Sequence, residues 1–135
     1  MLNVAVRVKA FMNRNIVSID SNRTIKEAVK RMVKAEIGSI VITNGGEPVG
    51  IITERDVLKR ALMAAKRPSR PVGEIMSSPL ITIRSLATVG EAAELMNMKE
   101  IRRLIVTEDD KAVGIITQRD VQRALLDTFN TLVLS

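Results

Sequence analysis

One pattern occurs twice in this sequence, and the duplication limits the possible folds more than any other feature. The letters VGIIT at 49–53 return 64 residues later at 113–117. With that offset and no gap, about 20 of the 55 positions in 8–62 are identical to their counterparts in 72–126. We interpret the chain as a tandem duplication, with repeat one at 8–62, a linker at 63–71 and repeat two at 72–126. Together they are predicted to form one module over residues 1–135.

Each repeat predicts the same five elements: a strand, a capped helix, two strands joined by a tight turn, and a closing helix. In repeat one these are 16–19, a helix after Thr24, 40–42, 49–52 and about 54–65. In repeat two they are 80–83, a helix after Thr88, 104–106, 113–116 and about 118–127. The predicted fold class is α+β, a pseudo-two-fold pair of β-α-β-β-α units with their sheets packed together.

A repeat of about 60 residues has too small a core to be stable alone, so we expect the two repeats to share a core. The spacing of the apolar residues predicts which side chains are buried in it. The sheets are expected to pack through Ile40, Ile42, Ile51, Leu104, Val106 and Ile115, or their alternates one position along. The first helix is expected to bury one face, which consists of Ile25, Ala28, Val29, Met32 and Val33.

Two missing residue types exclude the commonest catalytic and metal-binding sites. The sequence has no Cys and no His, so it offers no thiol nucleophile, no Ser-His-Asp triad and no conventional zinc site. We therefore predict no catalytic residues, no metal site and no enzymatic activity. The sequence also lacks a signal peptide and an apolar run long enough to span a membrane. We therefore expect a cytoplasmic protein without a membrane partner.

Positive charge is concentrated in the first half of the sequence. The net charge is +6 overall, with +7 in residues 1–67 and −1 in residues 68–135. An anionic partner such as nucleic acid is one reading of this asymmetry, and a solubilising surface is the other. Without interleaved aromatic side chains, any nucleic-acid binding would act through the phosphate backbone and be sensitive to salt.

The repeated motif resembles the signature of cystathionine-β-synthase-type (CBS) domains. Each repeat has a strand ending in Gly-Ile-Ile-Thr, then two residues, then an Asp at the start of the last helix, at 50–56 and again at 114–120. The resemblance extends over about 8–126. It implies a free-standing regulatory CBS pair that binds an adenosine-containing ligand: AMP, ADP, ATP or S-adenosylmethionine. It also implies signalling to a partner protein that the sequence does not identify.

The resemblance further implies that the two repeats share two nucleotide sites. The first site would comprise Thr53, Arg55, Asp56, Met76, Leu80, Ile81, Ile101, Arg102 and Arg103. The second site would comprise Thr117, Arg119, Asp120, Ile16, Val17, Ile37, Gly38 and Ser39. We expect the first site to bind phosphate better, because Arg102 and Arg103 supply charge where Gly38 and Ser39 supply none.

Local chemistry supports this assignment but leaves an alternative open. A helix N-terminus is a natural phosphate site, and a carboxylate one turn later can accept hydrogen bonds from ribose hydroxyls. Thr-x-x-Asp is equally a simple helix cap without any ligand. A ligand-free scaffold is therefore the competing function.

Homodimerisation is a further expectation, since both closing helices carry surplus apolar side chains. These residues are Leu58, Ala61, Leu62 and Met63 in repeat one, and Leu125, Leu126 and Phe129 in repeat two.

Overall fold

The computed structural model describes residues 6–77 and 80–134. The chain divides into two compact units. The first-repeat unit is Ile16–Leu80, and the second-repeat unit combines Met1–Asn15 with Ile81–Ser135. Each unit has one three-stranded sheet and two main helices. The predicted α+β class and the duplicated β-α-β-β-α order are confirmed.

The first-repeat unit has its strands in the order β1-β2-β3. They are β1 (Ser18–Asp20), β2 (Ser39–Asn44) and β3 (Glu47–Thr53). Helix α1 (Ile25–Ala35) connects the parallel pair β1 and β2, while β2 and β3 form an antiparallel hairpin. Helix α2 (Glu54–Asp56) continues directly as a π-helical segment, Val57–Leu62. A short 3-10 turn, Val72–Glu74, follows.

The second-repeat unit has the same topology and the same register. Its strands are β4 (Thr82–Arg84), β5 (Arg103–Glu108) and β6 (Lys111–Thr117). Its helices are α3 (Val89–Lys99) and α4 (Gln118–Leu134), preceded by a 3-10 turn at Val8–Ala10. The pairing Ser18 to Val41 in one unit corresponds to Thr82 to Ile105 in the other. The two repeats are therefore structural copies strand by strand.

The hydrophobic core of each unit lies between its helices and one face of its sheet. In the first-repeat unit, Ile25, Ala28 and Met32 of α1 pack with Ile40 and Ile42. Ala92 and Met96 of α3 pack with Leu104 and Val106 in the second. The prediction for Val33 was wrong: its side chain is 72% exposed, because α1 turns this position away from the sheet.

The predicted sheet-packing set mixed two faces. Ile51 lies opposite Val41 in the β2–β3 register, while Ile40 lies opposite Ile52. Successive strand side chains point to opposite faces, so Ile51 cannot share a face with Ile40. The same correction applies to Ile115, which pairs with Ile105. The residues that join Ile40 and Leu104 in the cores facing the helices are Ile42, Ile52, Val106 and Ile116.

The segment before each first strand covers the N-terminus of a helix. The backbone N–H groups of Ile25 and Lys26 in α1 donate to the carbonyls of Arg70 and Pro68, at 2.9 and 3.0 Å. In the other unit the N–H of Val89 donates to the carbonyl of Val6 at 2.8 Å. These bonds satisfy helix N–H groups that have no partner within the helix.

The closing helices differ from their predictions in length and geometry. In repeat one, α-helical geometry stops at Asp56, and the N–H groups of Met63 and Lys66 donate five residues back, to Leu58 and Ala61. In repeat two, α4 runs past the predicted end at 127 to Leu134. Residues 118–134 contain no proline that would interrupt the helix.

Candidate functional site

Thr53 and Asp56 lie at the junction between β3 and α2. Thr53 is the N-cap residue in an extended conformation, and its side-chain oxygen accepts the N–H of Asp56 at 3.3 Å. Asp56 Oδ2 in turn accepts the Thr53 N–H at 2.9 Å and the Thr53 hydroxyl at 3.2 Å. This reciprocal capping box fixes the carboxylate at the start of the helix. The Asp56 side chain remains 13% exposed, so the structure leaves part of it accessible.

Two further groups in the same unit approach Asp56. The Ser77 hydroxyl lies 3.3 Å from Asp56 Oδ1 and 3.4 Å from Oδ2. Arg60 Nε lies 3.8 Å from Oδ1, and Arg60 Nη1 donates to the Met76 carbonyl at 3.0 Å. The carboxylate therefore connects the closing helix to the segment that follows the linker. The sequence analysis did not identify Ser77 or Arg60, since neither belongs to the repeated motif.

Thr117 and Asp120 form the equivalent junction between β6 and α4. Asp120 Oδ2 accepts the Thr117 N–H and hydroxyl, both at 2.9 Å, and Thr117 accepts the Asp120 N–H at 3.3 Å. Arg123 lies 3.6 Å from Asp120 Oδ1. Its guanidinium also lies 5.6 Å from the centre of the Phe11 ring, which is cation–π distance. The second carboxylate thus has the same cap but a different surrounding.

The conserved spacing of Gly50 and Gly114 within the repeats has a steric cause. A Cβ at position 50 would lie 2.6 Å from Met76 Sδ and 3.0 Å from the Ser77 carbonyl oxygen. A Cβ at 114 would lie 2.8 Å from Met12 Sδ and 2.9 Å from the Asn13 carbonyl oxygen. Glycine therefore allows the segments at 76–77 and 12–13 to pack directly on β3 and β6. Met76, a predicted site residue, occupies this space beside the Asp56 junction.

The predicted residues of each site divide between the two units. For the first site, the first-repeat unit contains Thr53, Arg55, Asp56, Met76 and Leu80, and the second-repeat unit contains Ile81, Ile101, Arg102 and Arg103. For the second site, the second-repeat unit contains Thr117, Arg119 and Asp120, and the first-repeat unit contains Ile16, Val17, Ile37, Gly38 and Ser39. Arg55 and Arg119 are both exposed.

Within each unit, the start of the middle strand lies beside that unit's own junction. Ser39 pairs with Thr53, and the Gly38 carbonyl accepts the Glu54 N–H at 3.1 Å. Arg103 pairs with Thr117 in the other unit, and the Arg102 carbonyl accepts the Gln118 N–H at 2.8 Å. The arginine pair is therefore attached through its backbone to the Thr117 junction.

A groove of about 560 Å³ lies between α1 and the closing helix of the first-repeat unit. Its lining consists of Val29, Met32, Val33, Glu36, Ile37, Gly38, Glu54, Val57 and Leu58. The counterparts of Val33, Gly38 and Leu58 in repeat two are Asn97, Arg102 and Gln122. Repeat one therefore has the more apolar surface at this place.

The described part of the chain contains neither a metal-binding cluster nor a membrane-spanning helix. Residues 6–77 and 80–134 contain no group of three or more acidic side chains positioned to hold a metal ion. Over the same ranges, no helix has both the length and the apolar character required to span a bilayer.

Comparison with known proteins gives a consistent result. The family model for the CBS domain matches residues 8–62 and 72–127. Protein MK0525 of Methanopyrus kandleri is 38% identical over 120 residues, which are 87% of this chain and 61% of that protein. The chain thus spans less than two thirds of that relative's length.

Two similar solved structures are ligand complexes. The CBS domain protein PAE2072 from Pyrobaculum aerophilum, complexed with AMP, has a TM-score of 0.77 and 30% identity. The comparison covers 93% of this chain and 99% of that one. The CBS domain pair of protein MJ0100, in complex with 5′-methylthioadenosine and S-adenosyl-L-methionine, has a TM-score of 0.77 and 31% identity, covering 91% and 98%. The chain, with two matched copies and their shared topology, belongs to the CBS-domain family as a tandem CBS pair.

Proposed function

We propose that this chain is a regulatory module that binds an adenosine-containing ligand and signals its presence to a partner protein. The observation that carries the proposal is the duplicated Thr–Asp junction, at Thr53–Asp56 and Thr117–Asp120, in which a helix N-terminus and a mostly buried, partly exposed carboxylate occur together. Its support from relatives is that similar CBS pairs are found in complex with AMP and with S-adenosyl-L-methionine.

The first site is proposed to bind the ligand through Thr53 and Asp56. Asp56 has one oxygen committed to the cap and a second, Oδ1, that is not used by Thr53. A ribose hydroxyl that donates to this carboxylate makes a charge-assisted bond. Arg102 and Arg103 of the other repeat are proposed to bind the phosphate. Met76, Leu80, Ile81 and Ile101 would provide the apolar surface for the base, and Arg55 would add charge at its edge.

The second site is proposed to be weaker. Thr117 and Asp120 supply the same helix start, but the residues assigned to it from repeat one are Ile16, Val17, Ile37, Gly38 and Ser39, which carry no charge. Arg119 is its nearest basic residue along the chain. The ligand itself is AMP, ADP, ATP or S-adenosylmethionine, and AMP is the first choice for testing.

A regulatory rather than catalytic role follows from residue chemistry. With no His and no Cys in the sequence, a reaction would depend on groups that are poor bases or nucleophiles at neutral pH. We therefore propose that the bound nucleotide is a signal and not a substrate. We also propose that the protein acts in the cytoplasm.

A homodimer is proposed as the functional assembly. Exposed apolar side chains are present on both closing helices: Leu58 (56%), Leu62 (71%), Met63 (81%), Leu126 (59%) and Phe129 (58%). Ala61, which we also expected at this surface, is instead buried in the core. Burying such side chains in a second copy would stabilise the assembly. Light scattering at tens of micromolar should give twice the monomer mass, and a monomer mass would contradict the proposal.

A thermal-shift screen with AMP, ADP, ATP, S-adenosylmethionine and NADH tests the ligand assignment. A ligand that binds only the folded state raises the midpoint of unfolding. We expect at least one adenosine compound to do so at millimolar concentration, with a smaller response to ribose 5-phosphate as the control without adenine. No response to any of them would favour the ligand-free scaffold.

A further inference from the structure

Ser77 presents an internal hydroxyl to the carboxylate that the proposed ribose site uses. Its Oγ lies 3.3 Å from Asp56 Oδ1 and 3.4 Å from Oδ2, so its one proton is shared between the two oxygens. The backbone of Ser77 is fixed by two bonds to Ile51, one in each direction, at 2.9 and 3.3 Å. The hydroxyl is therefore positioned by an antiparallel bridge rather than by a mobile loop.

The acceptor capacity of Asp56 is limited. A carboxylate has about four lone-pair positions. Asp56 Oδ2 already accepts the N–H and the hydroxyl of Thr53. Oδ1 has the Ser77 hydroxyl at 3.3 Å and the Arg60 guanidinium at 3.8 Å. A ribose diol that donates both hydroxyls therefore competes with Ser77, whereas a sugar with a single hydroxyl needs only one position.

Repeat two supplies the internal comparison. Asn13 occupies the position equivalent to Ser77 and makes the same backbone bridge, with bonds of 2.8 and 3.0 Å to Ile115. Its side-chain oxygen accepts the N–H of Asn15 at 2.9 Å. The backbone geometry is therefore shared, and the side chain at this position is what differs between the two carboxylates.

We propose that Ser77 is a specificity-determining residue of the Asp56 site, where its hydroxyl occupies an acceptor position that one hydroxyl of a ribose diol would otherwise use. This inference rests on the proposed nucleotide-binding function. Ser77 makes the preference of the site for ribose over deoxyribose smaller, because only the ribose diol has to displace the Ser77 hydroxyl. The distances of 3.3–3.4 Å are long for a hydroxyl-to-carboxylate bond, so displacement is easy and the effect is moderate.

The test is calorimetric titration of the full chain with AMP and with 2′-deoxy-AMP, in an Asp120→Ala background that leaves the Asp56 site as the reporter. Ser77→Ala should tighten AMP binding about two- to fivefold, the value of one ordinary hydrogen bond. It should leave the dissociation constant of 2′-deoxy-AMP unchanged. The dissociation constant of 2′-deoxy-AMP divided by that of AMP should therefore rise. Ser77→Val, which also lacks a hydroxyl and has the shape of Thr, should behave like Ser77→Ala. Ser77→Thr retains the hydroxyl and should keep the original ratio, and Asn13→Ala is the matched control without effect.

The outcomes separate this inference from the proposed function. If the Asp120→Ala protein binds AMP but Ser77→Ala leaves the ratio unchanged, or weakens AMP binding, the inference is wrong and the proposed function stands. If the protein with wild-type Asp120 binds neither nucleotide, both are wrong. Three substitutions at one position keep the test decisive should one of them fail to fold.

Discussion

The two repeats build the same helix start and then surround it differently. Asp56 and Asp120 each accept the backbone N–H of their Thr at 2.9 Å. Beyond that cap, Asp56 meets the Ser77 hydroxyl, whereas Asp120 lies near an arginine that also stacks on Phe11. Duplication has thus kept the element that ends the strand and starts the helix, while the residues around the carboxylate have diverged. The shared junction provides the proposed ribose contact in both repeats, so the divergent surroundings are where the two sites can differ in ligand binding.

The arginine beside each carboxylate shows how helix geometry can compensate for a change in sequence. Arg60 is four residues after Asp56, and Arg123 is three residues after Asp120. Repeat one reaches its carboxylate with the later position because Val57–Leu62 is π-helical, with more residues per turn than the α-helix of repeat two. The two guanidinium groups therefore reach similar places from non-equivalent sequence positions.

The outer faces of the two first helices differ in charge. Lys26, Lys30 and Lys34 of α1 are exposed, and the equivalent positions of α3 are Gly90, Glu94 and Met98. This difference places the basic surface of the protein on repeat one. Weak, salt-sensitive binding of a polyanion at this face is the alternative to a solubilising role.

The largest expected effect comes from the glycines that permit close packing. Gly114→Ala should destabilise the protein by about 1–3 kcal/mol, since its Cβ would meet the Asn13 backbone oxygen at 2.9 Å. Gly50→Ala should destabilise the protein by a similar amount, because its Cβ would meet the Ser77 backbone oxygen at 3.0 Å. Urea denaturation measures both.

Gly90→Ala is the matched control for this pair. Gly90 is in α3, and an added Cβ would meet only the Thr88 hydroxyl oxygen, at 3.7 Å. Alanine should stabilise the helix by about 0.5–1 kcal/mol. Equal stability losses at all three glycines would contradict the close-packing explanation.

Substitutions in the two hairpin turns should have smaller effects on stability, and the effects should have opposite signs in the two repeats. Repeat one turns at Gly45 and Gly46 with φ of 61° and 87°, and repeat two turns at Asp109 and Asp110 with φ of 50° and 64°. An Asp in the left-handed region is strained where Gly is not. Asp110→Gly should therefore stabilise the protein by up to about 1 kcal/mol, and Gly46→Ala should destabilise it by about as much. Thermal unfolding of both variants checks the pair, and loss of stability in Asp110→Gly would show that its side chain has another role.

The smallest effect concerns Glu74, which follows the linker of repeat one. Hydrogen bonds from Lys66 and then Arg70 lower the pKa of Glu74 below its ordinary value. A carboxylate with a lowered pKa stabilises the fold above its unfolded-state pKa, and this stabilisation is lost as the pH falls through the folded value. Glu74→Gln should therefore be slightly less stable than wild type at pH 7. The difference should close as the pH falls through the lowered pKa of Glu74, and an unchanged difference at low pH would contradict the ion-pair account.

Much of this fold could be predicted because the sequence pattern of each secondary-structure element occurs in both repeats. The Thr24 and Thr88 caps and the tight turn between β2 and β3 are local signals, and the structure confirms them, with Gly45 and Gly46 at the turn. Ser77 could not be identified, since its role depends on a bridge to Ile51 from a distant segment. Val33 fits the apolar spacing of α1 but lies outside the core, because spacing alone does not show how wide the buried stripe is.

Local geometry at the candidate site could be predicted where one motif contains it. Thr53 and Asp56 are three residues apart, and their capping box forms within one turn. The residues assigned from the other repeat depend on long-range arrangement, and for them no local pattern exists. Their roles therefore stay predictions to be tested by mutation.

The central claim is that Asp56 is the main ribose contact and not only a helix cap. Calorimetric titration with AMP of wild type, Asp56→Ala and Asp120→Ala tests it, with Thr24→Ala as a control that removes a cap of α1. We expect Asp56→Ala to weaken AMP binding about tenfold or more, Asp120→Ala to have a smaller effect, and Thr24→Ala to have none on affinity. Arg103→Ala should weaken AMP binding while leaving adenosine binding nearly unchanged, because only AMP carries phosphate. AMP binding that is retained in Asp56→Ala and abolished in Asp120→Ala would contradict the claim.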